Sequence, residues 1–216
     1  MKTNCLKATL FAGAVLAAIA VAAPLSAPLH AQTGAPPVAT DTSRASAPAH
    51  DTVPIGYGAM KQDEITMSIR TGALLVKVTP LKEELIRLLA PDTYRRLHAL
   101  VESRKFDLSK GVGARELFLV SFFSYQPDVT FQPENIQLMH QARTLRSQTI
   151  VPLTPGWGRQ RMQQQENESA IYAFDGPIDY DQDITLIYGE NQTDAWRQIV
   201  TKLHTERANV KTRSGH

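Results

Sequence analysis

The stretch RELFLVSFFS, residues 115–124, decides the fold. Both of its alternating sets of side chains are apolar: Leu117, Leu119 and Phe123 on one side, Phe118, Val120 and Phe122 on the other. A half-buried strand would alternate apolar with polar residues, and a helix would repeat its apolar residues every three or four positions. The run is therefore expected to be a central strand covered on both faces, ended by Pro127 and Asp128.

Outward from this strand, residues 135–140, 148–153, 169–175 and 183–188 read as shorter strands, each bounded by Pro, Gly or Asp. On the N-terminal side, EITMSIR (64–70) sets Ile65, Met67 and Ile69 against Thr66, Ser68 and Arg70 with the period of a half-buried strand. Thr71-Gly72 then turns the chain into ALLVKVT, a hairpin pattern. A helix is expected next, with Thr79 as cap, Pro80 at its first position and Leu81, Leu85, Leu88 and Leu89 as its apolar stripe. Pro91 restarts it, giving a second helix to about Arg104 whose charged face (Arg95, Arg96, Glu102, Arg104) reads as a solvated surface. TDAWRQIVTKLHTERA (193–208) spaces Trp196, Ile199, Val200 and Leu203 along one helical face, with Thr193 as cap, and residues 209–216 read as a polar tail.

About seven short strands without regular strand–helix alternation favour antiparallel layers over a doubly wound parallel sheet. The expected fold is mainly β with added helices. In pattern it resembles an antiparallel immunoglobulin-like β-sandwich, with a helical insertion after the first hairpin and a C-terminal helix; α+β is the alternative. The Cys-Trp-Cys hallmark of antibody domains is excluded, because Cys5 is the sole cysteine.

The first residues address a different question. Lys2 and Lys7 precede an almost wholly apolar run from Ala8 to Ala23, and no acidic residue comes before Asp41. That is the build of a secretory signal peptide over residues 1–31, with Gln32 as the expected mature N-terminus. An uncleaved membrane anchor is the rival, since a spanning helix needs only about 17 to 20 apolar residues. Residues 32–61, rich in Ala, Pro, Thr, Ser and Gly, read as a flexible linker, and 62–208 as a single β-rich domain. Removing Lys2 and Lys7 lowers Lys plus Arg from 23 to 21, equal to the 21 Asp plus Glu. A neutral mature chain gives no electrostatic case for nucleic acid, and a thiol-free one excludes disulfides and cysteine chemistry.

Two stretches carry candidate chemistry. Pro155-Gly156-Trp157-Gly158, followed by Arg159 and Arg161, could display an indole and two cations to a partner. The bland alternative is that Trp157 folds back over one end of the sandwich. Asp179, Asp181 and Asp183 alternate, with Glu190 at the twelfth place of an EF-hand-like register, which makes calcium the one cofactor entertained. The register fails at its sixth place, where the turn needs glycine and the chain has Ile184. The histidines lack paired spacing, so zinc has no support. No G-x-S-x-G elbow occurs, and GVG (111–113) precedes a strand instead of opening a helix. The expectation is an exported, non-enzymatic domain that binds a protein or envelope component through one sheet face or the 153–167 loop. The alternatives are an extracytoplasmic hydrolase using acidic residues of 175–190, and a structural subunit anchored by a retained N-terminal helix.

Overall fold

The computed structural model describes residues 53–108 and 115–215. The strands are β1 (Met67–Thr71), β2 (Leu74–Pro80), β3 (Arg115–Ser124), β4 (Val129–Thr130), β5 (Ile136–His140), β6 (Arg143–Pro152), β7 (Arg161–Met162), β8 (Asn167–Asp175), β9 (Ile184–Tyr188) and β10 (Asn191–Thr193). The helices are α1 (Glu83–Ile86), α2 (Pro91–Leu108) and α3 (Trp196–Ser214). Eight strands form one antiparallel array in the order β1-β2-β3-β8-β6-β5-β9-β10, and β4 pairs separately with β7.

Strand β6 folds this array into two layers. Its first half pairs with β5 and its second half with β8, with a register shift between Ser147 and Thr149. Such a bulge bends a strand and lets it pass from one layer to the other. Facing contacts confirm the layering: Phe122 of β3 and Tyr188 of β9, on strands that are not neighbours, have ring centroids 5.8 Å apart. At the opposite side β10 meets β1 through Asn191 Nδ2 donating to Thr71 Oγ1 at 3.4 Å. The chain is thus the mainly β, antiparallel immunoglobulin-like sandwich, with a helical insertion after the first hairpin and a C-terminal helix.

Strand β3 is central, between β2 and β8. Its even side chains Phe118, Val120 and Phe122 are fully buried between the layers, whereas on the odd side Leu117 and Phe123 are half-buried. Coverage on the outer face is therefore partial, against the expectation of two covered faces.

Other local expectations are corrected by pairing. Thr79 and Pro80 do not start a helix: they extend β2 opposite Leu119 and Phe118, and α1 begins at Glu83. A terminal strand proline is tolerated because its missing amide costs no interior ladder bond. The 64–70 strand starts only at Met67, because Gln62–Ile65 forms a 3-10 turn whose Gln62 carbonyl accepts from Thr66 Oγ1 at 2.8 Å. Thr193 ends β10, and its Oγ1 accepts from Ala195 N at 3.3 Å at the entry to α3. The polar tail of 209–216 is helical through Ser214, since Val210 is buried and Arg213 pairs with Glu206 at 2.7 Å.

The end of the expected linker is docked. Met60 N donates to Leu88 O at 3.1 Å and Ala90 N to Met60 O at 2.9 Å. Gly58 permits this approach, because a Cβ there would lie inside the Leu88 carbonyl. Glu206 clamps the same segment from α3, accepting from Ala59 N at 2.8 Å, and Arg213 donates to the Tyr57 carbonyl. Burial pushes the Glu206 carboxyl up, but hydrogen bonds from Arg213, the Ala59 amide and Asn209 outweigh it and hold the group below the usual range. The signal-peptide expectation and the linker before Val53 lie outside the described residues. Among the described residues no helix is long and apolar enough to cross a membrane.

Candidate binding face

Two tryptophans close the two ends of the sandwich. Trp157 is only 7% exposed and packs on Phe131 at 5.2 Å, Phe122 at 5.7 Å and Tyr172 at 6.2 Å between ring centroids. It is an end plug, so its ring is not offered to a partner. The loop is pinned by buried Glu168, which accepts from Thr154 Oγ1, and by Arg159, 2.6 Å from Glu166 and 3.7 Å from Glu168. Gly156 lies so close to the Glu168 carboxylate that a Cβ there would overlap it. Arg161 is exposed but makes a forked pair with Asp128. The tryptophan of the expected Trp157–Arg159–Arg161 binding set is thus withdrawn into the core, and its cations are engaged locally. At the other end Trp196 of α3 donates from Nε1 to the Tyr180 carbonyl at 3.1 Å, and Tyr180 in turn stacks at a tilt on Phe118 at 6.2 Å.

The aspartates do not converge on a cation. Asp179 Oδ1 accepts from Asp181 N at 3.0 Å, Asp181 pairs with Arg207 at 2.6 Å, and Asp183 pairs with Arg197 at 3.0 Å. Among the described residues no group of three or more His, Cys, Asp or Glu side chains could hold a metal ion. Helix α3 supplies the charges opposite Asp181 and Asp183 through Arg207 and Arg197.

Beside these aspartates lies a cleft of about 670 Å³ bordered by Lys82, Glu84, Ile178, Asp179, Tyr180 and Arg207 among others. Two of the bordering residues hold Glu116, 5% exposed, which accepts from Lys82 Nζ at 2.8 Å and from Tyr180 OH at 3.1 Å. Burial, then the neighbouring Glu116 charge, drives the Tyr180 hydroxyl well above its ordinary range, so it stays a proton donor to that carboxylate. The triad is a satisfied structural lock: every partner of the buried charge is in place, which is what burying a carboxylate requires.

The outer face of the β1-β2-β3-β8 layer divides into a covered and an open half. Register places Thr79, Leu119, Ile171 and Val151 in one row, all buried. The Gln62–Ile65 turn reaches this row through Gln62 Nε2 to Thr79 Oγ1 at 3.4 Å, and α2 packs against β6. The next two rows are open: Ser68, Lys77, Ser121 and Ser169, then Arg70, Leu75, Phe123 and Asn167. Tyr125, 37% exposed, lies just past the end of β3 beside the second row; it meets Phe123 edge-on at 5.0 Å and carries the Arg70 guanidinium 4.4 Å above its ring. Leu75, Lys77, Phe123, Tyr125 and Asn167 line a shallow hollow of about 290 Å³. The alternation of 64–70 already turned Ser68 and Arg70 outward, but Phe123 and Tyr125 carried no such signal, because an apolar residue in a central strand reads as core.

No known family model matches the chain, and no curated protein matches it. Among solved structures the chain is similar to MPT63, a secreted protein from Mycobacterium tuberculosis, at 10% identity and a TM-score of 0.32 over 63% of this chain and 94% of that one.

Proposed function

We propose that this chain is an exported, non-enzymatic binding domain that engages an envelope component through the open half of its outer sheet face. Export is supported by the basic start and apolar run of residues 2–23, followed by small residues up to Ala31. The binding role is supported by one observation above all. A sandwich that buries Phe118, Val120 and Phe122 completely leaves Phe123 and Tyr125 at the surface beside Arg70 and Lys77. An exposed tyrosine and a half-buried phenylalanine grouped with cations are the composition of contact surfaces. The test is cosedimentation of the purified mature chain with an envelope fraction. The Phe123→Ala/Tyr125→Ala double variant, verified as folded by its unfolding midpoint, is expected to stay in the supernatant. Retention equal to wild type would defeat the reading. A start at Gln32 on N-terminal sequencing is the expected mark of export, and an intact N-terminus would favour an anchored subunit instead.

The second reading is an extracytoplasmic hydrolase, favoured by Glu84, Asp179 and Asp181 bordering one cleft. Release of reducing ends or peptide fragments from an envelope extract, lost in Asp179→Asn, would establish it.

A further inference from the structure

We propose that the open sheet face binds a carboxylate-bearing polysaccharide, an inference that rests on reading the chain as a binding domain. Its two rows offer the functional groups such a ligand needs. Ser68, Ser121 and Ser169 present hydroxyls that both donate and accept, and Asn167 adds an amide. The exposed part of Tyr125 and the half-buried Phe123 provide ring surface for the C–H faces of sugar rings, next to Leu75. Arg70, held 4.4 Å over Tyr125, is oriented by the ring while its donors remain available to a carboxylate in a forked geometry. Lys77 is the second cation; its partner Asp63 is 78% exposed at the side chain, and such a surface pair at 3.0 Å is weak enough to exchange for a ligand carboxylate. No carboxylate lines the hollow itself.

The geometry favours a linear sugar chain over a peptide. Four strands at about 4.8 Å spacing make each row about 14 Å across, an elongated track instead of a single-ring pocket. An extended peptide is recognised by adding to an open strand edge. Of the four strands of this face, β2, β3 and β8 are each paired on both sides, so recognition across these three is by side chains.

The experiment is calorimetric titration of the mature protein with polygalacturonate and with alginate, set beside amylose as a neutral glycan and poly-L-glutamate as an acidic peptide. Saturable binding to at least one acidic polysaccharide is expected, reduced about tenfold or more by either Tyr125→Ala or Arg70→Ala, with unchanged unfolding midpoints. Binding that survives both substitutions, equal binding to poly-L-glutamate, binding to amylose alone, or binding to neither acidic polysaccharide would overturn the proposal. If these polymers fail while the Phe123→Ala/Tyr125→Ala variant still loses the envelope fraction, the ligand class falls and the binding-domain reading stands.

Discussion

Replacing Trp157 with alanine separates a core plug from a displayed ligand contact. An indole carries on the order of 200 Å² of surface, and here it is 7% exposed. At about 25 cal/mol per Å² its burial corresponds to roughly 5 kcal/mol, an upper figure because unfolded chains already bury part of such surface. Alanine recovers a little of that and leaves a cavity among Phe122, Phe131 and Tyr172. The expected loss is therefore about 3 to 4 kcal/mol, inside the range of ~3–5 for large aromatic truncations. For a domain of this size that lowers the melting temperature by roughly 6 to 16 °C. Urea denaturation at pH 7 followed by tryptophan fluorescence and circular dichroism measures it; the midpoint should fall while the slope stays constant. A surface tryptophan would cost at most about 0.5 kcal/mol. A measured loss below about 1 kcal/mol would refute the placement of this residue and with it the closed end of the sandwich.

Tyr180→Phe removes the hydroxyl that donates to buried Glu116 and is expected to cost about 1 to 3 kcal/mol, readable in the same denaturation assay; a neutral effect would deny the lock. The Glu206 carboxyl is held below its unfolded value, so its contribution is present above about pH 4.3 and lost as pH falls through the lower folded value. Glu206→Gln should accordingly destabilise the protein at pH 7, with the gap to wild type closing under acid; a gap independent of pH would contradict the clamp. Gly58→Ala should release the Val53–Met60 segment to early cleavage in limited proteolysis, and a wild-type digestion pattern would show that the approach to Leu88 is not tight. Added calcium should leave the melting temperature unchanged, since a ligand that binds the native state raises it; a rise would reinstate the aspartates as a site.

The residues themselves determined the parts of this protein that depend on neighbours in the chain. Period-two alternation marked β1, the Thr71-Gly72 turn between apolar runs marked its hairpin with β2, the two-sided apolar run marked β3 as central, and spacing of three and four marked most of α3. These signals are legible because burial acts on each element's own face. The end of β2 at Pro80 and the helical extension to Ser214 were not legible, because a strand partner and a buried Val210 overrode local propensity. The candidate face was half legible. Ser68 and Arg70 were turned outward by alternation alone, yet their meeting with Phe123, Tyr125 and Asn167 depends on register across β1, β2, β3 and β8, residues up to about a hundred positions apart. Tertiary structure alone decided that one half of the outer face is covered and the other open, that Trp157 turns inward, and that Asp181 and Asp183 are paired with arginines of α3. The physical reason is common to all three: which side of a strand or loop reaches water is settled by what packs on it, and the sequence of the element does not name its cover.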